Sequence, residues 1–100
     1  MGVLPASALT EKQFQSQVIE AAKWFGWDVY HATLSKWSEK GWPDLTLMRP
    51  PRLAFAELKS AIGRVSPRQS YWLEHLRQCE GVEVYLWRPV DWPAIESALR

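Results

Sequence analysis

The sequence predicts an α/β fold, a four-stranded mixed sheet flanked by helices, with the elements running helix, three strands, helix, strand, helix. Three observations carry this. Two stretches open with the Ser/Thr-x-x-Gln pattern of a helix N-terminus, Thr10 to Gln13 and Ser66 to Gln69. Three runs rich in aromatic and branched residues follow one another between those helices without a third helical period. A fourth such run, Val82 to Trp87, arrives only after the second helix, so it should lie parallel to a neighbour while the first three form an antiparallel meander.

Each element has a local cause. After the Thr10 cap, Phe14, Val18, Ala22 and Phe25 recur at helical spacing, and Gly26 supplies a left-handed stop. Trp27 to Ala32 reads as the first strand and the polar stretch from Thr33 to Trp42 as a loop. Asp44 to Arg49 and Arg52 to Lys59 read as two strands parted by Pro50-Pro51, which cannot continue a ladder. Ser66 caps the second helix with Pro67 at its first position; Trp72, Leu73 and Leu76 share one side, and the helix should end near Gly81. Asp91 is expected to cap a short last helix carrying Ile95 and Leu99.

One hundred residues suit one domain, with a core from about 10 to 92. A hydrophobic share of 47% and a charged share of 23% argue against disorder. No apolar run approaches the ~20 residues of a membrane span, and Met1 to Ala8 does not read as a secretory signal. Cys79 is single, so it forms no internal disulfide; a small buried thiol and a reducing, cytoplasmic setting are expected. The net charge of +1 is uninformative, but its distribution is not. From Lys36 to Arg68, seven bases (Lys36, Lys40, Arg49, Arg52, Lys59, Arg64, Arg68) stand against three acids (Glu39, Asp44, Glu57), a positive segment suited to a phosphate backbone, or simply a solvated mixed surface.

The chemistry concentrates in Gly41-Trp42-Pro43-Asp44 and Glu57-Leu58-Lys59. If Arg49 and Arg52 flank the turn as a pair, counting outwards sets Asp44 opposite Glu57, and opposed residues share a sheet face on the order of 5 Å apart. Glu57 and Lys59, two apart on one strand, share that face. Two carboxylates so close repel unless a cation joins them, and hard oxygen ligands suit Mg²⁺ or Mn²⁺. Such an ion polarises a phosphoryl oxygen and acidifies a bound water, while Lys59 could position that water or stabilise transition-state charge. Read singly, Asp44 is also a turn residue and Glu57-x-Lys59 a surface ion pair.

Further candidates lie near this set. At 100° per residue from Phe14, the apolar stripe of the first helix spans roughly 20–80°, with Glu11 at about 60° and Gln15 at about 100°. Glu11 is either a further metal ligand or a favourable charge on the helix dipole. Gln69 points along the second helix's buried stripe while also serving its capping box. Trp24, Trp72 and Trp87 are expected in the core. Trp37 and Trp42 precede Asp44, where they could stack on a base or pack as a lid. His31, at a strand end, is expected to be structural, and His75 carries no signal.

These motifs resemble those of the VRR-NUC (virus-type replication-repair nuclease) domains, a branch of the PD-(D/E)xK nucleases. Gly41-Trp42-Pro43-Asp44 resembles the family's G-x-P-D, Glu57-Leu58-Lys59 its E-x-K, and Gly63 to Gln69 its glycine-to-glutamine stretch; Glu11 and Gln15 resemble its first-helix pair. The resemblance implies a restriction-endonuclease-like core and a DNA endonuclease, structure-selective towards branched or junction DNA in some members. It implies Mg²⁺ or Mn²⁺ held by Asp44, Glu57 and the backbone carbonyl of Leu58, with Glu11 as a further candidate, and Asp44, Glu57, Lys59 and Gln69 as catalytic residues. Lys36, Lys40, Arg64, Arg68 and Gln15 are the candidates for DNA contact. Members of this size come mainly from phages and bacteria, and a homodimer is expected. The alternative is a DNA-binding or scaffold module on the same fold without turnover.

Overall fold

The computed structural model describes residues 8–32 and 39–100. Its elements are α1 (Glu11–Trp24), β1 (Asp28–His31), β2 (Leu45–Arg49), β3 (Arg52–Leu58), α2 (Pro67–Arg77), β4 (Val82–Trp87) and α3 (Trp92–Leu99), with a 3-10 turn at Pro89–Asp91 before α3. The strands lie in the order β1-β2-β3-β4, the first two pairings antiparallel and the last parallel. Among the described residues no helix is long and apolar enough to cross a membrane.

Both capping boxes form. Thr10 and Ser66 each accept from the backbone N–H three residues on, and Gln13 and Gln69 reach back to the cap N–H. Gly26 takes φ +87, the left-handed conformation that ends α1. Phe14, Val18 and Ala22 of α1 meet Ile95 and Leu99 of α3 over one sheet face, made by Leu45, Leu47, Ala54, Ala56, Leu58 and Trp87. Alternation along β3 sends Phe55 and Glu57 to the other face, the one α2 covers. All five residues from Ala54 to Leu58 are buried, because β3 is central and packed on both sides.

Several expectations need correction. β1 is shorter than Trp27 to Ala32, and α2 stops at Arg77, capped at Gln78, rather than near Gly81. Asp91 gives no side-chain cap to α3; its Oδ2 accepts from Arg88 N at 2.8 Å within the 3-10 turn. Trp24 is 85% exposed rather than core, since ten residues after Phe14 it lies about 100° outside the apolar stripe. Trp72 is half-buried, and of these three only Trp87 is fully in the core, where Trp27 joins it. Cys79 lies beyond the end of α2 and is exposed.

Arg49 and Arg52 do not serve the positive surface. Arg49 donates to Phe25 O (2.8 Å), Leu99 O (3.1 Å) and Arg100 O (2.8 Å). Arg52 donates to Ala98 O and forms a two-pronged ion pair with Glu83 at 2.8 and 2.6 Å. Both guanidinium groups lie over the Trp27 ring, whose Nε1 donates to Leu99 O at 2.8 Å. Together they satisfy the carbonyls that the end of α3 leaves open.

Candidate active site

The β2–β3 hairpin decides where the acids fall. Its turn is Pro50-Pro51 with Arg49 opposite Arg52, and the ladder runs back to Leu45 opposite Ala56. Asp44 and Glu57 each lie one residue beyond that last pair. The backbone of Asp44 is held by β1, Ala32 N donating to its carbonyl at 2.9 Å. Its side chain is held by β3, Leu58 N donating to Oδ2 at 2.8 Å.

Lys59 N donates to Trp87 O at 3.0 Å, so in this parallel ladder residues 57 and 59 bond towards β4 and Leu58 turns its N–H and C=O towards β2. There the Leu58 N–H meets the Asp44 carboxylate, and Pro43, just before Asp44, has no N–H to give.

Glu57 is 1% exposed, and among the described residues it is the one charged side chain in the core. Its Oε2 accepts from Gln69 Nε2 at 2.9 Å and lies 3.6 Å from Lys59 Nζ. Its Oε1 is buried with no hydrogen-bond partner. Burial first, then the charge of Asp44, pushes the Glu57 carboxyl up to about 8, against the opposing pull of Lys59. Gln69 is oriented by its own helix: its Oε1 accepts from Ser66 N at 2.8 Å, which turns its amide donor towards Glu57.

Asp44, Glu57 and Gln69 line a cleft of about 440 Å³ shared with Glu11, Trp42 and Trp72; Lys59 touches Glu57 but is not in the lining. Glu11 opens onto it but does not join the acid pair; among the described residues no three His, Cys, Asp or Glu side chains gather as an ion-holding group. Gln15 is half-buried on α1 and does not line the cleft. Lys40, Arg64 and Arg68 are exposed, and Arg68 lies 3.9 Å from Glu39 and over the Tyr71 ring. Lys36 and Trp37 fall outside the described residues. His31 is exposed at the end of β1 and does not line the cleft, and His75 faces outwards on α2.

Trp42 packs inward as a lid, edge-on to Trp72 at 5.1 Å and to Phe55 at 5.7 Å. Trp72 Nε1 donates to Lys40 O at 3.0 Å. Gly41, at φ +86, passes so close to α2 that a Cβ there would lie 2.5 Å from the carbonyl carbon of Arg68. The segment before Asp44 is thus seated on the helix that supplies Gln69. The sequence pattern did not reveal that seat, beyond the glycine itself.

A mixed sheet of this order, flanked by helices and with acids opposed at the mouth of its central hairpin, is of the restriction-endonuclease-like class. The chain belongs to the VRR-NUC domain family, whose family model matches residues 6–91. It carries that family's nuclease-type, DNA-processing function. No curated protein and no solved structure matches it.

Proposed function

We propose that the chain is a metal-dependent DNA endonuclease whose active centre is Asp44, Glu57 and Lys59, assisted by Gln69. The observation that carries this is the unpartnered, buried Oε1 of Glu57 beside a second carboxylate. A buried carboxylate oxygen without a donor is costly, and a cation removes that cost. The donor set fits a hard divalent ion such as Mg²⁺ or Mn²⁺: Asp44, Glu57 and the Leu58 carbonyl, all oxygens. Bound there, the ion would polarise the scissile phosphate and acidify a water.

The remaining work belongs to the side chains. Gln69 Nε2 holds Glu57 Oε2 and leaves Oε1 for the ion. Leu58 N does the same for Asp44 through Oδ2. Lys59 Nζ, only 11% exposed and beside Glu57, donates to the attacking water or to a phosphoryl oxygen as charge grows there. Lys40, Arg64 and Arg68, with Lys36, contact the phosphate backbone to either side.

Branched DNA is the preferred substrate in this reading, and the chain works as a homodimer. What supports pairing is an apolar groove of about 800 Å³ between α1 and α3, lined by Phe14, Phe25 and Trp92, with Trp24 exposed at its edge. Lys23 stands on the same rim as Glu20 and Glu96, and a two-fold axis passing between them would set opposite charges face to face.

The test is cleavage of linear, single-stranded, flapped and four-way DNA with Mg²⁺, with Mn²⁺ and with chelator. Asp44→Asn and Lys59→Ala should fold yet lose cleavage by several orders of magnitude. Full activity in either variant, or in chelator, refutes the assignment.

A further inference from the structure

Ile62 is 92% exposed, more than any other large hydrophobic residue described. It occupies the third position of a tight turn, Ser60 to Gly63, where a β-branched apolar residue is a poor local choice. The turn is firmly built. Gly63 N donates to Ser60 Oγ at 3.0 Å and to Ser60 O at 3.4 Å, and Arg88 Nη1 donates to Ser60 O at 2.7 Å. At Gly63 a Cβ would sit 3.1 Å from Ser60 Oγ, so glycine permits the tightness.

The turn's place matters as much as its stiffness. Its first flank is Lys59 and its second leads through Arg64 to the helix whose first turn holds Gln69. Three residues from Lys59, Ile62 lies within about 11 Å of it, Cα to Cα. A rigid apolar prong three residues from Lys59, whose Nζ lies 3.6 Å from the Glu57 carboxylate, with an exposed arginine two residues on, matches side chains that press into a base stack.

Resting on the nuclease reading above, we infer that Ile62 is a wedge: it packs against the last stacked base pair where a DNA duplex is interrupted, next to the phosphate held in the cleft. Duplex ends and branch points expose such a face, whereas continuous duplex must first be unstacked. The wedge therefore supplies the preference for branched DNA.

The experiment uses the full chain with Asp44→Asn, in chelator, so that binding is read without cleavage. The probe is a four-way junction carrying 2-aminopurine at the branch point, compared with linear duplex carrying it at the same position in sequence. Ile62 should give a fluorescence rise on the junction. Ile62→Ser should abolish the rise and reduce the junction-over-duplex preference by roughly tenfold, the scale of burying one aliphatic side chain. Ile62→Leu should keep both, and thermal melting should show all three folded alike. A rise and preference that survive in Ile62→Ser, or a protein with no junction preference, overturn the wedge alone. Failure to bind any DNA overturns the wedge and the nuclease reading together.

Discussion

Gln69 holds Glu57 with one end of its amide, at 2.9 Å, while the other end accepts from Ser66 N at 2.8 Å. One side chain thus closes the N-terminus of α2 and fixes a core carboxylate. The cap and the site can be separated by mutation. Gln69→Ala should cost about 1–2 kcal/mol of stability and lower cleavage at least tenfold. Ser66→Ala should cost a similar stability with a smaller fall in cleavage, because Gln69 can still reach Glu57. Denaturant titration beside single-turnover kinetics checks this; equal losses of activity would make Gln69 a cap and nothing more.

Stability in the presence of chelator should fall as pH rises. The Glu57 carboxyl, ordinarily near 4.5, is pushed up to about 8 by burial and by Asp44. Folding therefore favours its neutral form, and that contribution is complete below about 4.5 and lost as pH climbs through about 8. Glu57→Gln, permanently neutral, should flatten the slope. Excess Mg²⁺ should reverse the loss at high pH, since an ion replaces the proton. Thermal melting from pH 5 to 9, with and without Mg²⁺, measures this; a rising stability in chelator would contradict it.

Gly41→Ala should destabilise the chain by about 2 kcal/mol or more, unusually for one added methyl. The backbone there is left-handed, and the new Cβ would meet the carbonyl carbon, carbonyl oxygen and Cβ of Arg68 at 2.5, 2.7 and 2.8 Å. Relief requires the segment before Asp44 to lift from α2, which would break the Trp72 to Lys40 bond and disturb the Trp42–Trp72 contact. Loss of the tryptophan near-ultraviolet signal should accompany the change. An unaltered melting curve would mean that the loop has no fixed seat.

The acids were legible because a hairpin is local. Once Arg49 and Arg52 are taken as a pair, the register follows by counting, and the ladder keeps it back to Leu45 opposite Ala56, one residue short of the two acids. The two helix starts were legible for the same reason, each capping box being complete within four residues. What escaped was decided at a distance. Arg49 and Arg52 counted towards the positive segment, but the end of α3 is folded against them from some fifty residues away. Glu11 opens onto the cleft, yet helical periodicity carries no information on whether its side chain joins the acid pair.

Trp24 offers a test of how the chain presents its cleft to a large substrate. At 85% exposure it contributes little to the fold, so Trp24→Glu should leave stability within about 0.5 kcal/mol. Beside the apolar groove and the mixed charges of Lys23, Glu20 and Glu96, the same change would bury a carboxylate in each half of a two-fold interface. Light scattering should show the wild type as a pair and Trp24→Glu as single chains at equal concentration. Cleavage of four-way DNA, which offers two strands for two centres, should fall more than cleavage of a single flap. A wild type that stays single at every concentration removes the homodimer; a variant that remains paired moves the interface to another face.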